Sequence, residues 1–271
     1  MSQTNSEADL FRLPPSAFRV ELHPPFTIYQ YETLGSTNDQ LKQMADAPEF
    51  ACVSADEQTT GRGRRDRTWH SAPGEGLYLS VLLRPEIRAD KFPLLSLTAA
   101  VAVAETVLQQ TRNSRSQIDI KWPNDVLING RKLSGILIES TTTPHEPPRV
   151  IVGIGVNLNH QSFPLELSEI ATSLRIESGE QFNIATFRNC LLTNLALWYE
   201  ELRSNRAHKI LTHWQELSTY AQGKQVIVQF DHEEIQGETC GLSENGALQL
   251  KTETGTVHPL LIGEIKHLRQ Q

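Results

Sequence analysis

The order of apolar and polar positions divides the chain into two textures. Between about residue 27 and residue 220, short apolar runs of strand length alternate with longer periodic segments, whereas past Gly223 only short runs between turn residues remain. In the first part, 27–34 reads as a strand that stops at Gly35. Ser36-Thr37-Asn38-Asp39-Gln40 follows, and Thr37 with Gln40 three positions on forms a capping-box pattern, opening a helix with Leu41 and Met44 inward. Runs 50–55 and 77–83 predict strands from their apolar and β-branched content.

The Ala-rich stretch 96–110 predicts a helix capped by Ser96. Strands are expected over 118–122, 126–129, 135–139 and 150–157, with Asn129-Gly130 as a hairpin turn. Phe187, Leu191, Leu195, Trp198 and Leu202 recur at spacings of three and four, the signature of an amphipathic helix over 186–202; a shorter helix covers 208–217. Past Gly223, runs 226–230, 234–242, 247–251 and 256–261 are separated by Asp231-His232, Asn245-Gly246 and Thr254-Gly255, which suggests a small antiparallel barrel. The pattern supports α/β or α+β architecture with an added β module. Its divisions are a short flexible leader over 1–25, a body over 26–222 and the β module over 223–271.

Composition narrows the function. With 25 Lys+Arg against 32 Asp+Glu, the net charge of −7 argues against a global grip on nucleic acid or anionic membranes. The longest uncharged apolar stretch, 92–104, is shorter than the roughly 20 residues of a spanning helix. No signal peptide is visible, and Cys52, Cys190 and Cys240 form no C-x-x-C pair, which favours buried thiols and the reducing cytoplasm.

Against that acidic background, Gly61-Arg62-Gly63-Arg64-Arg65-Asp66-Arg67 carries a local charge of +3, within a polar segment of a length that usually marks function or disorder. Glycines permit close backbone approach, and guanidinium forks suit carboxylate and phosphate. By composition alone, an anion-binding loop stands level with the alternative of a solvated turn or a fragment of an RNA-binding tail. Lys121-Trp122-Pro123-Asn124-Asp125 and Lys132 flank a hairpin, so both lysines could reach one pocket, although a lone hairpin lysine is more often a surface residue. Gly153-Ile154-Gly155-Val156-Asn157 places glycines at alternate strand positions, a mark of close approach by a ligand or another backbone. The dinucleotide fingerprint, the Walker loop, H-E-x-x-H and G-x-S-x-G are all missing.

Taken together and in this order, Ser36-Thr37-Asn38, Gln58 with Gly61–Arg65, Lys121–Asp125, Lys132–Leu137, Gly153–Asn157 and the closing Gly263-Glu264-Ile265 resemble the biotin–protein ligases, over about residues 28–268. The short leader resembles the monofunctional members, which lack a DNA-binding domain. The resemblance implies a catalytic domain of the class II aminoacyl-tRNA-synthetase/biotin-ligase type, with a mixed sheet, helices on one side and an SH3-like C-terminal barrel. It implies that ATP activates biotin as biotinyl-5′-AMP. The biotinyl group would then pass to one lysine of the biotin carboxyl carrier protein of acetyl-CoA carboxylase.

By the same resemblance, Ser36, Thr37, Asn38, Gln58, Arg62, Gly63, Arg64 and Lys132 should bind biotin, with Lys132 and Arg64 catalytic. Arg64, Arg67, Trp69, Lys121 and Asn157 should face the nucleotide. Mg²⁺ is expected with ATP, held mainly by phosphate oxygens with Asn124 and Asp125 as helpers. The loop over 58–69 is expected to order on ligand binding and shield the adenylate from water. Neither DNA nor membrane is an expected partner, and family members pair through sheet edges, which leaves a homodimer open. Two rivals stand beside this reading: a lipoate or octanoate ligase or transferase of the same architecture, and a nucleic-acid-binding module.

Overall fold

A computed structural model of the chain describes residues 19–111, 117–141, 148–229, 233–261 and 263–267. Eight strands build the main sheet: β1 (Arg19–His23), β2 (Phe26–Leu34), β3 (Ala51–Gln58), β4 (Gly76–Leu83), β5 (Ile118–Lys121), β6 (Asp125–Ile128), β7 (Arg131–Thr141) and β8 (Arg149–Asn157). Their order is β1-β2-β3-β4-β8-β7-β6-β5, and every pair is antiparallel except β2 with β3. The sheet is therefore mixed and largely antiparallel.

Two features depart from the expected pattern at its start. Arg19–His23 is a strand paired with β2 rather than leader, so any leader ends before residue 19; residues 1–18 lie outside the described residues. Pro24-Pro25 disguised this pairing in the sequence, because proline there marks the hairpin rather than a break in structure. In addition, α1 (Thr37–Gln43) packs on one face of the sheet while the three longer helices occupy the other, so the helices do not share one side.

Those longer helices are α2 (Pro93–Gln110), α5 (Ile184–Arg203) and α6 (Ala207–Glu216), with the short α3 (Leu165–Ser168) and α4 (Leu174–Ser178) between β8 and α5. α2 starts three residues before Ser96, because Pro93 takes the first-turn position its fixed φ suits. Ser96 instead donates to the Pro123 carbonyl at 3.0 Å. The helical run over 89–110 has the length and apolar composition of a membrane span. Here that apolarity is used by the core: Leu94, Leu95, Leu97 and the residues from Ala99 to Ala104 are all buried.

The second sheet contains β9 (Gln222–Gln229), β10 (Glu234–Leu242), β11 (Leu248–Lys251), β12 (Val257–Leu260) and β13 (Glu264–His267), in the antiparallel order β12-β11-β10-β9-β13. It forms the SH3-like module. Its buried Val226, Val228, Leu248 and Ile265 belong to the same packed core as α2 and α5. Trp122 ties the two parts, its Nε1 donating to the Gly246 carbonyl at 3.1 Å.

Candidate active site

On the face that α1 shares, three glycines open the sheet. Gly135 lies opposite Gly155, and Gly153 opposite Ser80. A Cβ on Gly155 would stand 2.5 Å from the Trp69 ring, one on Gly135 3.0 Å from it, and one on Gly153 would collide with the Asn38 carboxamide. The alternate glycines thus do mark a close approach, and the approaching groups are Asn38 and Trp69. A cavity of about 200 Å³ opens here. Ser36, Thr37, Asn38, Gln58, Arg62, Gly63, Arg64, Arg67, Trp69, Asn124, Lys132 and Asn157 all line it; of the expected site residues, Lys121 and Asp125 do not.

One end of the cavity is a neutral polar cluster. Gln58 Oε1 accepts from the Thr37 backbone N–H at 2.9 Å and from its hydroxyl at 3.1 Å, while Gln58 Nε2 donates to Ser71 Oγ at 3.0 Å. Ser80 Oγ lies 2.7 Å from Thr37 Oγ1 and 2.5 Å from Asn38 Oδ1, and its single proton is shared between them. The expected capping box therefore does not form. Ser36 is the N-cap without a side-chain bond, and the Thr37 hydroxyl turns to Gln58 and Ser80 instead.

The other end is cationic. Arg64 donates from Nη1 to Asn124 Oδ1 at 3.1 Å and from Nη2 to the Gly263 carbonyl at 3.2 Å, so its hydrogen-bond partners among the described residues are neutral. Burial pushes its guanidinium below its ordinary pKa, with attraction from Asp125 and Glu264 working against repulsion from Arg65 and Arg67. A guanidinium remains charged regardless. A desolvated cation hydrogen-bonded only to carbonyls, beside two further arginines, is a site that an anion would complete. Arg67 pairs with Glu264 at 2.8 Å, and Arg65 donates to the Gln229 carbonyl at 2.9 Å. The loop is thereby tied to the SH3-like module at three points.

Lys132 lines the same cavity. Its backbone N–H donates to the Ile170 carbonyl at 2.8 Å and its carbonyl accepts from Thr172 N at 2.9 Å, so the stretch from Ile170 to Thr172 runs beside it like an added strand. Its ammonium lies 2.7 Å from Asp125 Oδ1, without hydrogen-bond alignment, and 5.4 Å from the Trp69 ring centroid. Trp69 Nε1 is buried and has no hydrogen-bond partner among the described residues. Asn157 donates to the Thr172 carbonyl at 3.0 Å and so holds the same stretch.

Lys121 is displaced from this group. It lies at the edge of the cavity's surroundings with its ammonium 5.8 Å from the Tyr220 ring, and burial lowers its pKa despite Asp125 and Glu264 nearby. Asn124 Oδ1 is engaged by Arg64 and Asp125 by Lys132. Among the described residues no three His, Cys, Asp or Glu side chains gather as a metal site. A Mg²⁺ entering with a nucleotide is ordinarily held by phosphate oxygens with one or two carboxylates.

Three contributors escaped the sequence reading. Phe163, Leu167, Ile170 and Ala171 form a wall of the cavity, and Ser80 and Glu139 support it from outside the lining through their bonds to Asn38. A lone serine inside the apolar run of β4 was the available signal for Ser80. Glu139 at the end of a strand resembles any solvated carboxylate, and the wall comes from the one-turn α3 and its flanking loops, too short to show a period.

Residues 31–157 match the Biotin/lipoate A/B protein ligase family, and residues 222–268 match the Biotin protein ligase C terminal domain. The chain is 38% identical over 243 residues to the bifunctional ligase/repressor BirA of Bacillus spizizenii, covering 88% of this chain and 73% of that protein. It is 34% identical to the biotin–[acetyl-CoA-carboxylase] ligase of Paracoccus denitrificans, covering 81% of this chain and 92% of the relative. Among solved structures, the biotin protein ligase from Aquifex aeolicus in complex with biotin and ATP superposes with a TM-score of 0.78 at 28% identity, covering 88% of this chain and 97% of that one. On the strength of this similarity along both relatives, the chain belongs to the biotin protein ligase family.

Proposed function

We propose that this ligase uses ATP to activate biotin as biotinyl-5′-AMP and then biotinylates one lysine of a biotin carboxyl carrier protein. In the first step a carboxylate oxygen of biotin attacks the α-phosphorus and pyrophosphate departs with the bonding pair. In the second, the deprotonated lysine amine attacks the acyl carbon and AMP departs. Charge builds on phosphate oxygens in the first step and on the acyl oxygen and departing AMP in the second, so positioning and cationic stabilisation carry the rate.

The observation that carries this reading is the meeting of a neutral hydrogen-bonding cluster and a cationic end in one cavity. Ser36, Thr37, Asn38 and Gln58 offer paired donors and acceptors for the ureido ring of biotin. Arg62, Gly63 and Arg64 bind the carboxylate and close over the acyl phosphate. Lys132, lining the same cavity, neutralises charge where carboxylate and α-phosphate meet; Arg64 assists it. Trp69, with its buried Nε1, Arg67 and Asn157 serve the nucleotide side, with Lys121 as a more distant charge. Mg²⁺ accompanies the ATP phosphates. The part from β1 to α6 is the catalytic unit, and the SH3-like module from β9 onward braces its loop.

A lipoyl group fits less well, because its dithiolane has no N–H or carbonyl for the Thr37–Gln58–Ser80–Asn38 cluster. The test is incubation with ATP, a purified carrier domain and either acid, read by intact mass. Addition of one biotinyl group to a single lysine, with none from lipoate, is the expected result. Equal transfer of both acids, or of neither by folded enzyme, contradicts the proposal.

A further inference from the structure

Glu139 lies near the end of β7, and three cations or donors from two separate segments converge on it. Oε2 accepts from Asn38 Nδ2 at 2.7 Å. Oε1 accepts from Lys42 Nζ at 2.7 Å and from Arg62 Nη2 at 2.6 Å. Arg62 also pairs with Asp39, one residue beyond Asn38. The Glu139 side chain is 19% exposed while those of Lys42 and Arg62 are 37% and 39% exposed, so the carboxylate is the covered centre of the group. Burial opposes its ionisation, yet the bonds from Lys42 and Asn38 and the charge of Arg62 hold it below the usual carboxylate range.

We propose that Glu139 is a positioning residue that couples recognition of the biotin head group to closure of the arginine loop. An amide side chain can present either end to a partner. A carboxylate accepts only, so it holds the Asn38 NH₂ toward itself and leaves Oδ1 directed at Ser80 and the cavity. The same carboxylate anchors the first arginine of the loop. Biotin bound against Asn38 and an Arg62 drawn inward thus share one support, and loss of that support weakens both. The inference rests on the reading of the cluster as the biotin site.

The experiment measures biotin-dependent exchange of pyrophosphate into ATP for the wild type, Glu139→Gln, Arg62→Ala and the double variant. Glutamine keeps the shape but lets Asn38 turn over and removes the charge that holds Arg62. The KM for biotin is expected to rise about tenfold in Glu139→Gln, the loss of one charged hydrogen bond, with the KM for ATP and kcat within about twofold. Adding Arg62→Ala to Glu139→Gln is expected to cost much less than Arg62→Ala costs alone.

An unchanged KM for biotin, equal rises in both KM values or fully additive effects would overturn the proposal. Should Glu139→Gln fail to fold, Glu139→Asp keeps the charge while shortening the reach, and the same split between the two KM values decides. A wild-type enzyme that exchanges with no acid would instead remove the biotin reading beneath it, which separates the two failures.

Discussion

The Trp69 indole lies on Gly155 with no room for a methyl group, since a Cβ there would stand 2.5 Å from the ring. Gly155→Ala must therefore move Trp69, and with it the ring that faces the Lys132 ammonium. Overpacking of this kind costs about 1–3 kcal/mol of stability. We expect a lowered thermal midpoint together with at least tenfold weaker exchange at limiting ATP. Retained Trp69 fluorescence and unchanged kinetics would show that the ring tolerates the alanine.

Among the described residues Arg64 has no carboxylate hydrogen-bond partner, only Asn124 Oδ1 and the Gly263 carbonyl. Its charge is left for an acyl phosphate, and its removal should let the adenylate escape. The Arg64→Ala enzyme is expected to release activated biotin and to label lysines of bystander proteins indiscriminately. Ligand should also protect the loop from proteolysis in the wild type and much less in the variant. Retention of the adenylate by Arg64→Ala, or equal cleavage of the wild-type loop with and without biotin plus ATP, would count against a closing loop.

His160 is fully buried and stacked on Phe163 at 4.8 Å, with Glu75 beside it. Burial, and then the neighbouring His70, lower its pKa from 6.5 to about 4. The folded state thus favours the neutral ring, while the unfolded chain takes up a proton below about pH 6.5. Stability from this residue is complete above that pH and is lost as pH falls toward 4. The thermal midpoint should drop across that window, and the drop should be shallower in His160→Gln. A pH profile identical in both proteins would assign the acid sensitivity elsewhere.

Much of the frame was legible because each strand carried its own signal. The apolar runs of β4 and β8, the Asn129-Gly130 turn with φ of 50° and 77°, and the heptad-like spacing of α5 each rest on neighbours in sequence. The glycines of β8 announced a close approach correctly, though not by what. What stayed hidden is the set of contacts made across the chain. Glu139 meets Asn38 from 101 residues away and Ser80 meets Asn38 from 42 away, and nothing local distinguishes either residue. Thr37 shows the converse: local pattern made it a capping residue, and tertiary contacts with Gln58 and Ser80 overrode it. Lys121 and Lys132 were grouped by hairpin spacing; strand pairing sets Lys121 opposite Asp125, the carboxylate beside Lys132, but only Lys132 lines the cavity.

Lys132 lines the cavity together with the polar cluster and the arginine loop, so its variant tests the account most directly. The measurement is biotin-dependent exchange of labelled pyrophosphate into ATP, with lipoate as the control acid and Lys132→Ala alongside. Loss of such a stabilising group costs about 2.7–4 kcal/mol, or roughly 10²- to 10³-fold in rate. The account predicts exchange with biotin only, reduced to that extent in a variant that remains folded. Exchange by Lys132→Ala at the wild-type rate, or no exchange with either acid by folded wild-type protein, would contradict it.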